Sequence, residues 1–409
     1  VKQGAWIVIA LVVIVVIIGV IVYANTRPPQ VPTDGQPVVA NGDGGQPADN
    51  GGAMPPADAA PTPATGEPIK IGVLAPLTED LANYGERVGR AVEIALDEAN
   101  SAGGIDGRRV EVVIEDTKAQ PGVGVAAAQK LINIDRVPVI MGAVASGVTL
   151  AVAPVCEEAG VVLLTAISSN ARISDAGDYI FRIAPSDALQ GVVLAQWAQE
   201  LGYSKAAVLY VNNDYGKGLE EGFCAEFADM GGAVAVSEGV TQGTTDFRAA
   251  VSKIISSDAQ FLLFPMYTDE AGPALKQMRE LGMTLPVIAT DTVHFPVVLE
   301  VAREAAEGML LSDVSDPEGE VWERFNDEYN ARFGVDADIV AAEAYDAMQI
   351  IFRAIELAGT SSYAIKDALY EVKYVGASGD NTFDGRGDAT RKSFQRFVVD
   401  DGRFMPFEP

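Results

Sequence analysis

The sequence predicts an α/β protein of two lobes, each with a parallel sheet at its core, facing one another across a cleft. The first observation behind this is a single βαβ unit over residues 69–117. Residues 69–74 form a short apolar run, and Val88, Ala91, Val92, Ala95, Leu96 and Ala99 recur at the spacing of one helical face. Gly103 and Gly104 stop that helix, and residues 110–114 supply a second strand. Two strands joined by a crossover of this length run parallel, and ligands of such sheets sit at the carboxyl ends of the strands. The loop over 75–84 is therefore the first place to look for function.

The second observation is that the unit recurs. Lys205–Val211 reads as a strand, NNDYGKG as a loop, and the helix after it ends at Gly231 and Gly232 before a strand over 233–237. Both copies place a Tyr-Gly pair where the loop enters its helix, at Tyr84-Gly85 and at Tyr215-Gly216. Two similar halves in one chain suggest two lobes around a cleft.

Composition bounds what such lobes can do. The 409 residues leave room for two domains with appendages, and 48% hydrophobic content supports large cores rather than disorder. Acidic residues number 57 against 29 basic, a net charge of −28 that repels phosphate backbones, so no nucleic-acid partner is expected. A single histidine and two cysteines are too few for a zinc site, and no metal is expected. Cys156 and Cys224 fall on helices of different lobes. A bond between them would clamp a cleft that has to open, so both read as buried small apolar residues.

In chain order, residues 6–23 run WIVIALVVIVVIIGVIVY without a charge, near the length that crosses a bilayer as a helix. Lys2 and the amino terminus precede it, so everything after Tyr23 is expected outside the cytoplasm. A retained transmembrane anchor over 1–25 is the expectation on length. A cleavable leader, with Val22 and Ala24 at small-residue spacing, is the competing reading. Residues 26–67 turn to Pro, Gly, Ala, Asp and Asn with no apolar period, a disordered linker reaching roughly 35 Å on average.

Beyond the first unit, helix signals over 122–134 and 147–160 alternate with strand signals over 137–141, 161–165 and 179–183. The loops GAVASG and TAISSN at two strand ends are rich in small hydroxyl residues. Ala184-Pro185-Ser186 is expected to be the first crossing into the second lobe. There a helix carrying Trp197, the repeated unit, a helix over 247–255 and strands over 261–264 and 287–289 follow. The chain is expected to return to the first lobe around 308–312 and to run through helices over 321–333 and 341–358. FDGRGD, residues 383–388, is expected to be a third crossing, and 393–399 with 404–407 a terminal hairpin across an Asp-Asp-Gly turn. The expected division is lobe 1 over 68–185 plus 311–385 and lobe 2 over 186–310 plus 386–409.

Several chemistries are excluded on the way. Residues 122–127 match the letters of a dinucleotide fingerprint, but Pro121 and a loop separate them from the preceding strand and no acid follows at the required distance. A serine hydrolase would need His294 as its base and a GxSxG elbow, which is missing. Asp380, Asp384 and Asp388 lack the alternating oxygen ligands of a calcium loop, and Arg386-Gly387-Asp388 reads as a turn. No catalytic residue and no cofactor is expected. What remains is a cleft lined by Tyr and Ser, with Asp291 as one acid at a strand end. Hydroxyls and helix-start amides suit a carboxylate, and a lone carboxylate suits an ammonium. Together they make an amino-acid zwitterion the natural cargo, with aromatic residues closing over its side chain.

Over residues 69–407 the chain resembles the leucine/isoleucine/valine-binding proteins, the substrate-capture components of ABC importers with the type I periplasmic binding fold. The landmarks are IKIGVLAPLT, YGERVGRAVEIALDEANSAGGIDG, EDTKAQP, NDYGKGL, TDFRAAVSKI and FDGRGD. The resemblance implies two Rossmann-like lobes joined by three hinge crossings. It makes Tyr84 the first-loop aromatic, Ser146 and Ser169 the hydroxyls that hold a ligand carboxylate, and Ile167 a backbone contact in the same loop, with Ser168 beside it. Tyr215 and Tyr267 become the second-lobe aromatics that cover the ligand, and Asp291 the acid that meets its ammonium. Ala119 stands near a cysteine position of some members, and TAISSN replaces the usual Ala-Thr pattern.

The implied protein is a monomer that closes on a small amino acid, branched-chain or similar, and delivers it to ABC permease subunits, held to the membrane by its N-terminal helix. Two other readings stay open. One is a sensor passing occupancy to a separate membrane receptor, against which the short cytoplasmic stub weighs. The other is binding of amides or urea-like compounds on the same fold.

Overall fold

A computed structural model describes residues 66–314, 317–390 and 393–407. The expected anchor and linker over 1–65 lie outside the described residues. Among the described residues, no helix is long and apolar enough to cross a membrane.

The opening unit forms as its apolar spacing requires. β1 (Ile69–Ala75) and β2 (Val110–Asp116) pair in parallel in register from Ile69 opposite Val110 to Ala75 opposite Asp116. Between them α1 (Ala82–Ser101) buries Val88, Ala91, Val92, Ile94 and Ala95 against the sheet. It stops where Gly104 turns to a φ of 79° and its N–H donates to the Ala99 carbonyl. α2 (Pro121–Lys130), β3 (Val139–Gly142), α3 (Ser146–Ala159), β4 (Val162–Thr165) and β5 (Ile180–Arg182) complete a five-stranded parallel sheet in the order β2-β1-β3-β4-β5. β3 and β4 are buried along their whole length, which is why they read as unbroken apolar runs.

The second lobe repeats that order. α4 (Asp187–Glu200), β6 (Lys205–Val211), α5 (Asp214–Asp229), β7 (Ala233–Val240), α6 (Arg248–Ile255), β8 (Phe261–Phe264), α7 (Thr268–Glu280), β9 (Val287–Ala289), α8 (Pro296–Ala302) and β10 (Leu310–Val314) follow in sequence. Their strands lie as β7-β6-β8-β9-β10, and β13 (Phe394–Asp400) and β14 (Arg403–Pro406) extend the sheet antiparallel beyond β10. In both lobes the strand order reverses at the first strand, and the crevice outside those strand ends is where such sheets take ligands.

The Tyr-Gly pairs now have a physical cause. A Cβ on Gly85 would stand 1.8 Å from the Pro76 carbonyl oxygen, and one on Gly216 2.2 Å from that of Val211. Each helix therefore starts hard against the backbone leaving its strand, which aims the preceding tyrosine at the cleft. Gly85→Ala and Gly216→Ala are each expected to destabilise by about 3 kcal/mol, at the top of the overpacking range, because backbone has to move. Gly89, on the same α1 with open space around its Cβ position, is the control: Gly89→Ala is expected to be neutral or to stabilise by up to about 1 kcal/mol. Urea denaturation of the three variants checks this.

Two boundaries differ from the sequence reading. Leu310–Val314 pairs with β9 and β13, so the chain stays in the second sheet through Val314 instead of leaving it around 308–312. FDGRGD is a turn held on the first lobe: Asp388 bridges to Arg182 at the end of β5, and Phe383 pairs with Ala389, so the third crossing comes after that turn. Between these points α9 (Glu320–Phe333), α10 (Ile339–Ala358) and α11 (Ser362–Glu371) join the first lobe, α10 packing on α1 and α11 on β4. A small hairpin of β11 (Lys373–Gly376) and β12 (Gly379–Thr382) follows them. Cys156 and Cys224 are both free thiols.

Candidate functional site

The carboxyl ends of both sheets meet around one cavity of about 60 Å³. A water needs roughly 10–15 Å³ of such space, so the cavity takes only a few. Tyr84, Ser146, Ile167, Ser169, Tyr215, Tyr267 and Asp291 all line it. Ser168 does not. Its hydroxyl donates to the carbonyls of Ala143 and Val144 at 3.0 and 2.9 Å and lies 2.6 Å from Thr149 Oγ1, tying the loop after β4 to the loop after β3.

Each wall follows from an element. Ser146 lines the cavity as the first residue of α3, so the cavity borders a helix start and the positive end of its dipole. Asn170 donates its N–H to Ser146 Oγ at 3.3 Å, which brings the TAISSN loop against that helix start. From the other lobe, the rings of Tyr215 and Tyr267 stack at 5.1 Å with an interplanar angle of 17°. The Tyr215 hydroxyl lies 2.9 Å from both Thr290 Oγ1 and Thr292 Oγ1, so its ring is fixed from behind. Tyr84 reaches across the cleft: its hydroxyl is 3.2 Å from Thr268 Oγ1 and its ring meets Phe295 edge-on at 5.6 Å. Arg87 stacks over the same Phe295 at 4.9 Å, and Gln242 donates to Asp80 at 3.2 Å, so the lobes touch at the cleft mouth.

Asp291 sits at the start of a short 3-10 turn after β9, and Gln190 from α4 donates to its Oδ1 at 2.8 Å. Burial, then the neighbouring Asp313 charge, pushes its carboxyl up to about 7. Asp313 in turn holds His294 Nδ1 at 2.5 Å, and the His294 ring packs between Phe397 and Phe404 rather than lining the cavity. Asp187, at the first residue of α4, is fully buried, and burial pushes it up to about 8 against the partial help of Ser169 and Arg182. Burial likewise raises the phenols of Tyr84, Tyr215 and Tyr267, so all three stay neutral hydrogen-bonding groups. Among the lining residues there is no Lys, Arg or His.

The cavity thus has a hydroxyl and helix-start end on the first lobe, Asp291 and Asp313 on the second, Glu343 from α10, and apolar side walls from Leu81, Val144, Phe295 and Val340. Sequence reasoning missed Gln190, Thr292 and Phe295. The two threonines flanking Asp291 in TDT were a readable signal, since adjacent hydroxyls beside a strand-end acid fit the same polar cluster. Among the described residues no group of three or more His, Cys, Asp or Glu is arranged to hold a metal ion.

Comparisons with known proteins agree with this architecture. Residues 68–403 match the family model described as periplasmic binding protein. The Leu/Ile/Val-binding protein homolog 3 of Brucella melitensis is 30% identical over 83% of this chain and 94% of its own. The branched-chain amino acid transporter substrate-binding protein LivJ of Streptococcus pneumoniae, solved in complex with isoleucine, superposes with a TM-score of 0.75 at 27% identity, covering 82% of this chain and 97% of that one. An ABC transporter solute-binding protein from R. palustris, solved in complex with benzoate, has a TM-score of 0.76 at 19% identity, covering 83% and 95%, and shows the fold alone.

Proposed function

We propose that this chain, which belongs to the periplasmic binding protein family alongside relatives named Leu/Ile/Val-binding proteins, captures a small amino acid between its lobes for an ABC importer. The observation that carries this is the pairing of opposite polar ends in one enclosed cavity. Ser146, Ser169 and the start of α3 receive the ligand carboxylate, the Ile167 carbonyl and Asp291 receive its ammonium, and the apolar walls take a branched or similarly short side chain. Tyr84, Tyr215 and Tyr267 close over it. Ligand favours the shut arrangement because the groups that grip it come from both lobes, and the permease would read that arrangement. The N-terminal apolar segment would hold the lobes on the outer face of the membrane.

The raised Asp291 carboxyl gives the binding a pH signature. In the empty site this acid keeps its proton to a higher pH than an exposed aspartate, and an ammonium pairs only with the ionised form. Binding therefore releases a proton, and affinity is expected to rise between about pH 5 and pH 8, then level off. Stability of the empty protein runs the other way. Asp187 and Asp291 both have folded values above their unfolded ones, so their contribution is fully present below about pH 4 and is lost as pH rises towards about 8.

The test is calorimetry of the fragment 66–409, stripped of endogenous ligand, against the twenty amino acids at both ends of that range. Tight binding of leucine, isoleucine, valine or a close relative, stronger at the higher pH, supports the reading. Binding of none of the twenty would refute it.

A further inference from the structure

Arg182, at the end of β5, is wholly buried yet does not line the cavity. Its guanidinium is fully engaged. Nη1 donates to the carbonyls of Ser169 and Asn170, both at 2.8 Å. Nη2 donates to Ser174 Oγ at 2.8 Å and to Asp388 Oδ1 at 2.7 Å, and Nε donates to the same Asp388 oxygen at 3.0 Å. Ser174 Oγ donates to the other Asp388 oxygen at 2.6 Å. The Ser169–Asn170 peptide therefore has its carbonyl gripped by a cation while its N–H points at Ser146 Oγ.

A carbonyl that accepts from a charged donor polarises its own peptide and makes the N–H on the far side a stronger donor. The charge itself also acts at longer range in a dry interior than in water. Arg182 and Asp388 are a pair of opposite sign, but not an even one. The Arg182 side chain is 1% exposed and that of Asp388 16%, so solvent screens the carboxylate more than the guanidinium, and Asp388 also faces Arg386 Nη2 at 3.8 Å. The cavity wall has no cation of its own.

We propose that Arg182 is the positioning residue for carboxylate selection: it fixes and polarises the Ser169–Asn170 peptide beside Ser146, and Asp388 sets how much of its charge reaches the ligand. This rests on the amino-acid reading above. It explains how a site without a lining cation takes an anionic group while the second lobe presents Asp291. It also ties the ligand loop to the FDGRGD turn, so the carboxylate end is held in place by the segment that leads into the third crossing.

The test compares the tightest amino acid of the calorimetric panel, L-leucine being the expected one, with its decarboxylated amine, here 3-methylbutylamine. Arg182→Met is expected to weaken L-leucine by at least about tenfold and the amine by less than about twofold, because only the first carries the group that Arg182 serves. Asp388→Asn keeps the guanidinium and removes its counter-charge, and is expected to tighten L-leucine by about threefold or more with the amine unchanged. Equal losses for both probes in Arg182→Met mean a scaffold role only and overturn the proposal. So does Asp388→Asn binding L-leucine no tighter than the wild type, and that variant decides if Arg182→Met does not fold. Failure of the wild type to bind any amino acid is a different result and refutes the underlying reading.

Discussion

Asp291→Ala is expected to weaken amino-acid binding by about thirtyfold to several thousandfold. Removing one partner of a buried charge pair costs roughly 2 to 5 kcal/mol, most of it from stranding the other charge in a dry cavity. Here the stranded group would be the ligand ammonium, left facing the Gln190 amide, which already donates to Asp291. The alternative role, a residue that merely shapes the turn after β9, predicts a loss of about 1 kcal/mol of stability with binding spared. The two roles also differ in sign for the empty protein. Deleting a buried acid held above its ordinary range relieves a cost at alkaline pH, so the melting temperature of empty Asp291→Ala at about pH 8 should hold or rise while affinity collapses. Calorimetry and thermal unfolding on the same preparation check both.

At the opposite end of the cavity, Ser146→Ala with Ser169→Ala is expected to weaken binding by about a hundredfold or more. A hydrogen bond to a charged group is worth about 1.5 to 3 kcal/mol, and two are removed together. The loss should be steep in affinity and shallow in stability. Both side chains border the cavity rather than the sheet core. The single variants are expected to fall between, and their sum need not equal the double because both hydroxyls hold one carboxylate. A double variant that binds like the wild type would move the carboxylate elsewhere in the cleft.

Much of this arrangement was legible because it depends on local rules. Parallel pairing followed from crossover length, and the lobes' equivalence from the repeated Tyr-Gly, whose glycine is forced by the approach of each helix to the backbone at its strand end. The individual site residues came from the family resemblance, and of those it implied, Tyr84, Ser146, Ile167, Ser169, Tyr215, Tyr267 and Asp291 border the cavity. The failures lie where neighbours in space decide. In TAISSN two adjacent serines offer the same hydroxyl, and only the position of the Ala143 and Val144 carbonyls turns Ser168 away while Ser169 faces in. The return to the first lobe was expected around 308–312. The apolar residues there instead complete the parallel part of the second sheet, a pairing no local pattern announces. Gln190 and Phe295 are ordinary helix-start residues until the lobes come together. Arg182 reads as one charge in a strand, and its five donor contacts come from a loop and a turn far along the chain.

The central claim is that both ends of a zwitterion are gripped at once, and one titration tests it most directly. The stripped fragment 66–409 is titrated at about pH 8 with L-leucine, with its α-keto acid 4-methyl-2-oxopentanoate, and with benzoate. The keto acid keeps the carboxylate and the branched chain but lacks the amine, and benzoate offers a carboxylate with an aromatic ring. The account predicts that L-leucine binds at least about a hundredfold more tightly than either, since an anion without an ammonium leaves Asp291 buried and unpaired. Equal or tighter binding of the keto acid or of benzoate would contradict it.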